Sequence, residues 1–247
     1  HLAAVLTASR SQVDLYELSV YGAAPPGTWV GLAVAMAVAL GVGVWADDSR
    51  LRSLAYLLGA LAVLTLVLIP ILLGFHFFGR GDALTHLGWV RDIGTGRMQP
   101  VSLLYPAVHV MALLFGAVLG IGLPRALLLA TFVFAGVFLV FLPLTVWTLT
   151  RHRVATAAAP LTAFLLLPIN NIGAHMVTHP LTLSVFFMPL VLFLLVRYTT
   201  DGSRTGVFDR PGYSLALGLT LVSVVVIHPQ GALDLLLMFG AIGTVQY

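Results

Sequence analysis

Runs of apolar residues roughly 17 to 23 long recur along this chain, the length needed to cross a bilayer core of about 30 Å. In lipid every backbone N–H and C=O must find its partner within the protein. Runs of this length, dense in Leu, Val and Ala, meet that demand as helices, so the expected fold class is all-α: a polytopic transmembrane helix bundle. With 60% hydrophobic residues and only 9% charged ones, membrane lipids are its first partner. Spans are expected at about 29–46, 53–75, 127–149, 155–169, 181–197, 212–228 and 231 to the end, seven in all. Residues 1 to 9 read as the tail of a preceding span, and a polar loop follows from Ser9 to Gly27. The 247 residues read as a single bundle and as a fragment of a longer chain.

The apolar run from Leu103 to Ile121 decides the topology. If it spans, Arg151, Arg153, Arg197, Arg204 and Arg210 fall opposite Arg50 and Arg52. If it dips in and returns, all seven fall on one face, which is the arrangement that the positive-inside rule favours. The run is therefore expected to be a half-embedded or interfacial helix, and Gly116, Gly120, Gly122 and Pro124 suit a broken or returning segment. The other face then receives Ser9–Gly27, His76–Arg125, Asn170–Pro180 and His228–Gln230. This is the layout of an integral, multipass protein of the plasma membrane with its chemistry on the external face. It would gather His76, His86, His109, His175, His179 and His228 on one side, with His152 among the arginines.

Chemistry-bearing residues are densest in the external segment 76–125. Between Phe75 and His109 lie three Arg, two Asp and three His. Asp82 follows Gly79-Arg80-Gly81 directly after a span, and His86 stands four residues on, so a helix starting there sets both on one face. The plainer alternative makes Asp82 an N-cap and Arg80 a snorkelling interfacial residue. His175 and His179 are also four apart, a spacing that can bring two imidazoles to one metal ion; the Glu of a zinc-protease helix is missing. The amides of Asn170 and Asn171 suit sugar hydroxyls, or mark a helix stop after Pro168. His228-Pro229-Gln230 interrupts two apolar runs, and Asp234 lies one turn into the last helix, where a carboxylate must find a partner. Tyr21, Trp29, Trp89 and Tyr105 sit near expected interfaces, where belt anchoring is the default explanation; Tyr105 and His109 could instead line a cavity. Asp14 and Glu17 are weaker candidates.

Several classes are excluded or left open by composition. Cysteine is absent, so there are no disulfides or thiolate metal sites. All twelve basic residues are Arg, which reflects coding bias more than function, and a net charge of +3 is too small and scattered for nucleic-acid binding. The sequence fixes no oligomeric state.

In their order, these features resemble the N-terminal part of the GT-C glycosyltransferases, over roughly residues 53 to 230. The span ending near Gly74, the GRGDALTH stretch, the amphipathic segment after it, LLYPAVH opening a half-embedded helix, and a span ending in WTLTRHR carry the resemblance. The LYELSVYGAAPP loop and the all-Arg composition are similar to those of archaeal membrane proteins with this layout. The resemblance implies a GT-C-like bundle and an enzyme that takes a sugar from a polyprenyl-phosphate carrier. Asp82 matches the family's acid in the first external loop, the catalytic base or metal-site residue. The family's second acidic position falls in Asn170 to His179, which holds no carboxylate. A divalent ion (Mg, Mn or Zn), if bound, would then rely on His175, His179 or His228. Arg80, His86, Arg91, Tyr105, His109, Asn170, Asn171 and Gln230 are the substrate-binding candidates, with Asp234 as a further site residue. Two readings of other classes stand beside this one: a transporter or flippase with an ion or proton path through His228 and Asp234, and a noncatalytic assembly subunit.

Overall fold

The computed structural model describes residues 1–10, 19–79, 81–166, 177–201 and 211–246. Among them every regular element is helical: α1 (Leu2–Arg10), α2 (Val20–Ala23), α3 (Pro26–Trp45), α4 (Ser49–Leu72), α5 (Asp82–Gly94), α6 (Ala107–Leu119), α7 (Leu123–Thr150), α8 (Arg153–Leu166), α9 (Pro180–Asp201), α10 (Pro211–Ile227) and α11 (Pro229–Gln246). A 3-10 turn at Pro100–Ser102 lies between α5 and α6. Four described helices are long and apolar enough to cross a membrane: Pro26–Trp45, Ser49–Leu72, Leu123–Thr150 and Pro180–Thr199. They mark the chain as a helical membrane protein. Helices α3, α9, α10 and α11 each open on a proline, whose missing N–H costs nothing in a first turn. This explains why they begin up to three residues before the apolar runs do.

The direction of each helix follows from what its ends touch. Val20, Ala24 and Leu32 pack with Ile69, Leu73 and Phe75, so α3 begins where α4 ends. The Tyr56 hydroxyl, near the start of α4, donates to the Thr156 carbonyl in α8. A Cβ on Gly43 would meet the Ala157 Cβ at 3.4 Å. The start of α4, the end of α7 and the start of α8 therefore share one end of the bundle, together with Arg50, Arg52, Arg151 and Arg153. Since α4 leaves this end and α7 returns to it, the chain from Leu73 to Gly122 starts and finishes at the other. The Leu103–Ile121 run is correspondingly divided. Its helical part, α6, has 13 residues, about 20 Å of helix, and Gly120 closes it in the left-handed conformation (φ 64°).

Inside the bundle, α7 packs along α9 through Phe134–Phe187, Phe138–Phe186 and Phe141–Phe193, with ring centroids 5.4–5.9 Å apart. The main core joins Val63 and Val67 of α4, Leu87 and Val90 of α5, Val108 and Ala112 of α6, and Ala126–Leu139 of α7. Helix α11 approaches α9 closely at Gly231, where a Cβ would stand 2.6 Å from the Ser184 Cβ. Gly231→Ala is therefore expected to push the two helices apart and cost about 1–3 kcal/mol. An unchanged melting temperature in detergent would contradict that close approach.

Candidate functional site

The site grows out of the way α5 is started and buried. Gly81 holds φ 57° and ψ −118°, a conformation open to glycine and strained for other residues. It turns the chain so that α5 begins with Asp82 itself. Asp82 is thus the first helical residue rather than the cap, and the capping alternative is corrected: Gly81 holds the N-cap position. Helix α5 buries Ala83, His86, Leu87 and Val90, a stripe at helical spacing. Asp82, four residues before His86, lies at the outer end of that stripe.

Two imidazoles meet the Asp82 carboxylate. Nε2 of His86 lies 3.3 Å from Oδ2, and Nε2 of His179 lies 3.0 Å from the same oxygen. His86 is 1% exposed, His179 37% and Asp82 57%, so the carboxylate stands at the mouth with a buried ring behind it. His179 is held there by its neighbour Thr178. The Thr178 hydroxyl donates to the Leu127 carbonyl at 2.7 Å and lies 2.9 Å from the Thr131 hydroxyl, tying the entry of α9 to α7. Behind His86, its Nδ1 lies 3.0 Å from Nε2 of His109 in the first turn of α6, and His109 is fully buried.

Aromatic rings enclose this row. Trp89 sits 5.2 Å from His86 and 5.6 Å from His109, centroid to centroid, and Tyr105 lies 6.1 and 6.4 Å from the same two rings. Tyr105 also faces His228 at 4.9 Å, which brings the turn between α10 and α11 into the group. Burial lowers the pKa of His86 more than the Asp82 charge raises it, and His109 is pushed down to about 4, first by burial and then by His86. His228 is lowered by burial and by the nearby His179, against Asp82 and Asp234.

Four segments distant in sequence thus converge at the end of the bundle opposite Arg50, Arg52, Arg151 and Arg153. Asp82, His86, Tyr105, His109, His179 and His228 are brought together. Arg91 is not: nine residues after Asp82 on α5, it is exposed on the other side of that helix. Gln230 donates from Nε2 to Asp234 Oδ1 at 2.9 Å, and its backbone N–H donates to His228 Nδ1 at 3.2 Å. These two residues complete each other beside the site. Arg80, Asn170, Asn171 and His175 lie outside the described residues. Trp89, expected as a belt anchor, packs on the buried histidines. Thr178 carried no signal in the sequence beyond standing next to a histidine.

Among the described residues, no group of three or more His, Asp or Glu is placed to hold a metal ion. A crevice with an empty volume of about 340 Å³ lies elsewhere, between α3, α4, α7 and α8, lined by Ala39, Gly43, Tyr56, Gly59, Leu139 and Ala157 among others. Tyr56 is its one ionisable lining residue, so it lies apart from the chemistry. The chain matches no protein-family model, and no curated protein or solved structure is significantly similar to it.

Proposed function

We infer that the protein is a membrane glycosyltransferase that moves a sugar from a polyprenyl-phosphate carrier to an acceptor. In this reading it spans the membrane about seven times, with α6 half-embedded and the site on the external face of the plasma membrane. One observation carries it: an exposed carboxylate, Asp82, is braced by imidazoles from two separate segments at the end of the bundle opposite the arginine-rich turns. Leu84, Val101 and Leu104, in the same segment, expose 53%, 84% and 75% of their surfaces. Such side chains beside a carboxylate suit a substrate whose tail lies in lipid.

The chemistry asked of Asp82 is that of a general base. The acceptor's O–H bond breaks and its proton passes to the free side of the Asp82 carboxylate. The acceptor oxygen bonds to the anomeric carbon while the bond from that carbon to the phosphate oxygen breaks, and its electron pair leaves with the polyprenyl phosphate. His86 and His179 donate N–H groups to Oδ2 and so hold the carboxylate in one orientation.

The test is direct. The full-length protein in liposomes, given labelled polyprenyl-phosphate sugars, is expected to transfer label to a hydroxyl-bearing acceptor; a folded protein inert toward every such donor would remove the reading. The transport alternative needs Asp234 as a free carboxylate in the ion path, whereas it is bonded to Gln230 one turn away. Asp234→Asn is expected to leave transfer intact and stability within about 0.5 kcal/mol. Loss of ion flux in that variant, with no transfer in either protein, would favour the transporter.

A further inference from the structure

Behind Asp82 stand two buried imidazoles, and the proposed sugar transfer uses only the first of them. A neutral imidazole carries one N–H, so its two nitrogens cannot be assigned independently. The Asp82 carboxylate can only accept, which requires the proton of His86 on Nε2, 3.3 Å away. Nδ1 of His86 is then a bare lone pair, and the group 3.0 Å from it, Nε2 of His109, must be the donor. That leaves Nδ1 of His109 without a proton. This atom is buried and has no hydrogen-bond partner of ordinary geometry, while the Tyr105 and Pro106 carbonyls beside it pull the other way, favouring a proton on the ring. With both rings neutral, the row from Asp82 through His86 to His109 admits this one proton arrangement.

We propose that His109 is a positioning residue: by donating from Nε2 it fixes the tautomer of His86, and so keeps an N–H rather than a lone pair turned toward Asp82. The enclosure supports this role. His86 is 1% exposed and His109 fully buried, and Trp89 and Tyr105 pack on both rings, leaving His109 as the partner that reaches Nδ1 of His86. Loss of the donor frees His86 to carry its proton on Nδ1. Its Nε2 lone pair would then face the carboxylate, and Asp82 would keep only the hydrogen bond from His179. The consequence for catalysis rests on the reading of Asp82 as the base, whereas the proton arrangement itself does not.

The experiment compares the full-length wild type with His109→Gln and His109→Phe, each with 15N-labelled histidine, by NMR and by transfer kinetics. The Gln amide can donate from about the place of the imidazole Nε2; the Phe ring fills the space without donating. In the wild type, His86 and His109 are expected to carry their protons on Nε2. His109→Gln should keep that form of His86 and most of the transfer rate. In His109→Phe the Nδ1–H form of His86 should appear, with kcat down about 10²-fold and KM little changed. A wild-type spectrum with the His109 proton on Nδ1 overturns the proposal even if His109→Phe fails to fold. So does a folded His109→Phe whose His86 remains wholly Nε2–H, or a His109→Gln no better than His109→Phe. If the tautomers behave as stated but the wild type transfers no sugar, His109 keeps its positioning role and the glycosyltransferase reading falls.

Discussion

Asp82→Asn is expected to lower sugar transfer by about 10³-fold or more while the protein keeps its fold. General-base catalysis contributes about 10²–10⁴-fold, and an amide cannot take the acceptor's proton. The substitution also disturbs the brace around it. Two imidazole nitrogens converge on one carboxylate oxygen, and an amide NH₂ at that position would set donor against donor, while the opposite amide rotamer withdraws the oxygen from the side the substrate needs. Because Asp82 is 57% exposed and is not the N-cap of α5, the cost to stability should stay within about 1 kcal/mol. Initial rates and melting temperature in the same detergent separate the two effects. A folded Asp82→Asn retaining a tenth of wild-type activity would take Asp82 out of the reaction.

Acid is expected to unfold the site end of the molecule before carboxylate titration alone would. His109 titrates near 4 in the folded chain, against an ordinary value of 6.5, and His86 is shifted in the same direction. A histidine whose folded pKa is depressed binds its proton more weakly in the native state than in the unfolded chain. Its stabilising contribution is whole above about pH 6.5 and drains away as the pH falls toward 4, the reverse of a histidine paired with an acid. For His109 the loss approaches about 3 kcal/mol. The charges facing the pair temper it: Asp82 favours protonation of His86, while His179 and His228 oppose it. Melting temperatures from pH 7 to 4 should therefore fall for the wild type and fall less for His109→Gln. Equal slopes for the two proteins would show that His109 is not the group responsible.

The helical bundle was legible because it follows from apolar length, and the convergence of histidines because it follows from sidedness. The returning Leu103 run, the pairing of Asp82 with His86 at a four-residue spacing, and the grouping of His179 and His228 with Asp82 are all features that local periodicity and the arginine asymmetry carry. What was not legible depended on tertiary direction. Nothing local says that Asp82 would be the first residue of its helix instead of the cap; that follows from the positive φ of Gly81. Trp89 near an expected interface reads as an anchor, because its burial against His86 and His109 depends on how α5 lies across α6. Arg91 looked like a phosphate contact from its place in the cluster, yet nine residues along a helix put it on the far side.

Thr178, bonded to α7 and holding His179 in place, has a consequence for biogenesis. During synthesis the aspartate leaves the ribosome well before either imidazole of the later turns, and α7 must be made before His179 can reach it and α10 before His228 can. A nascent polypeptide arrested midway would present the acid with His86 as its one brace, so the full site is deferred until the entry of α9 has been made and docked.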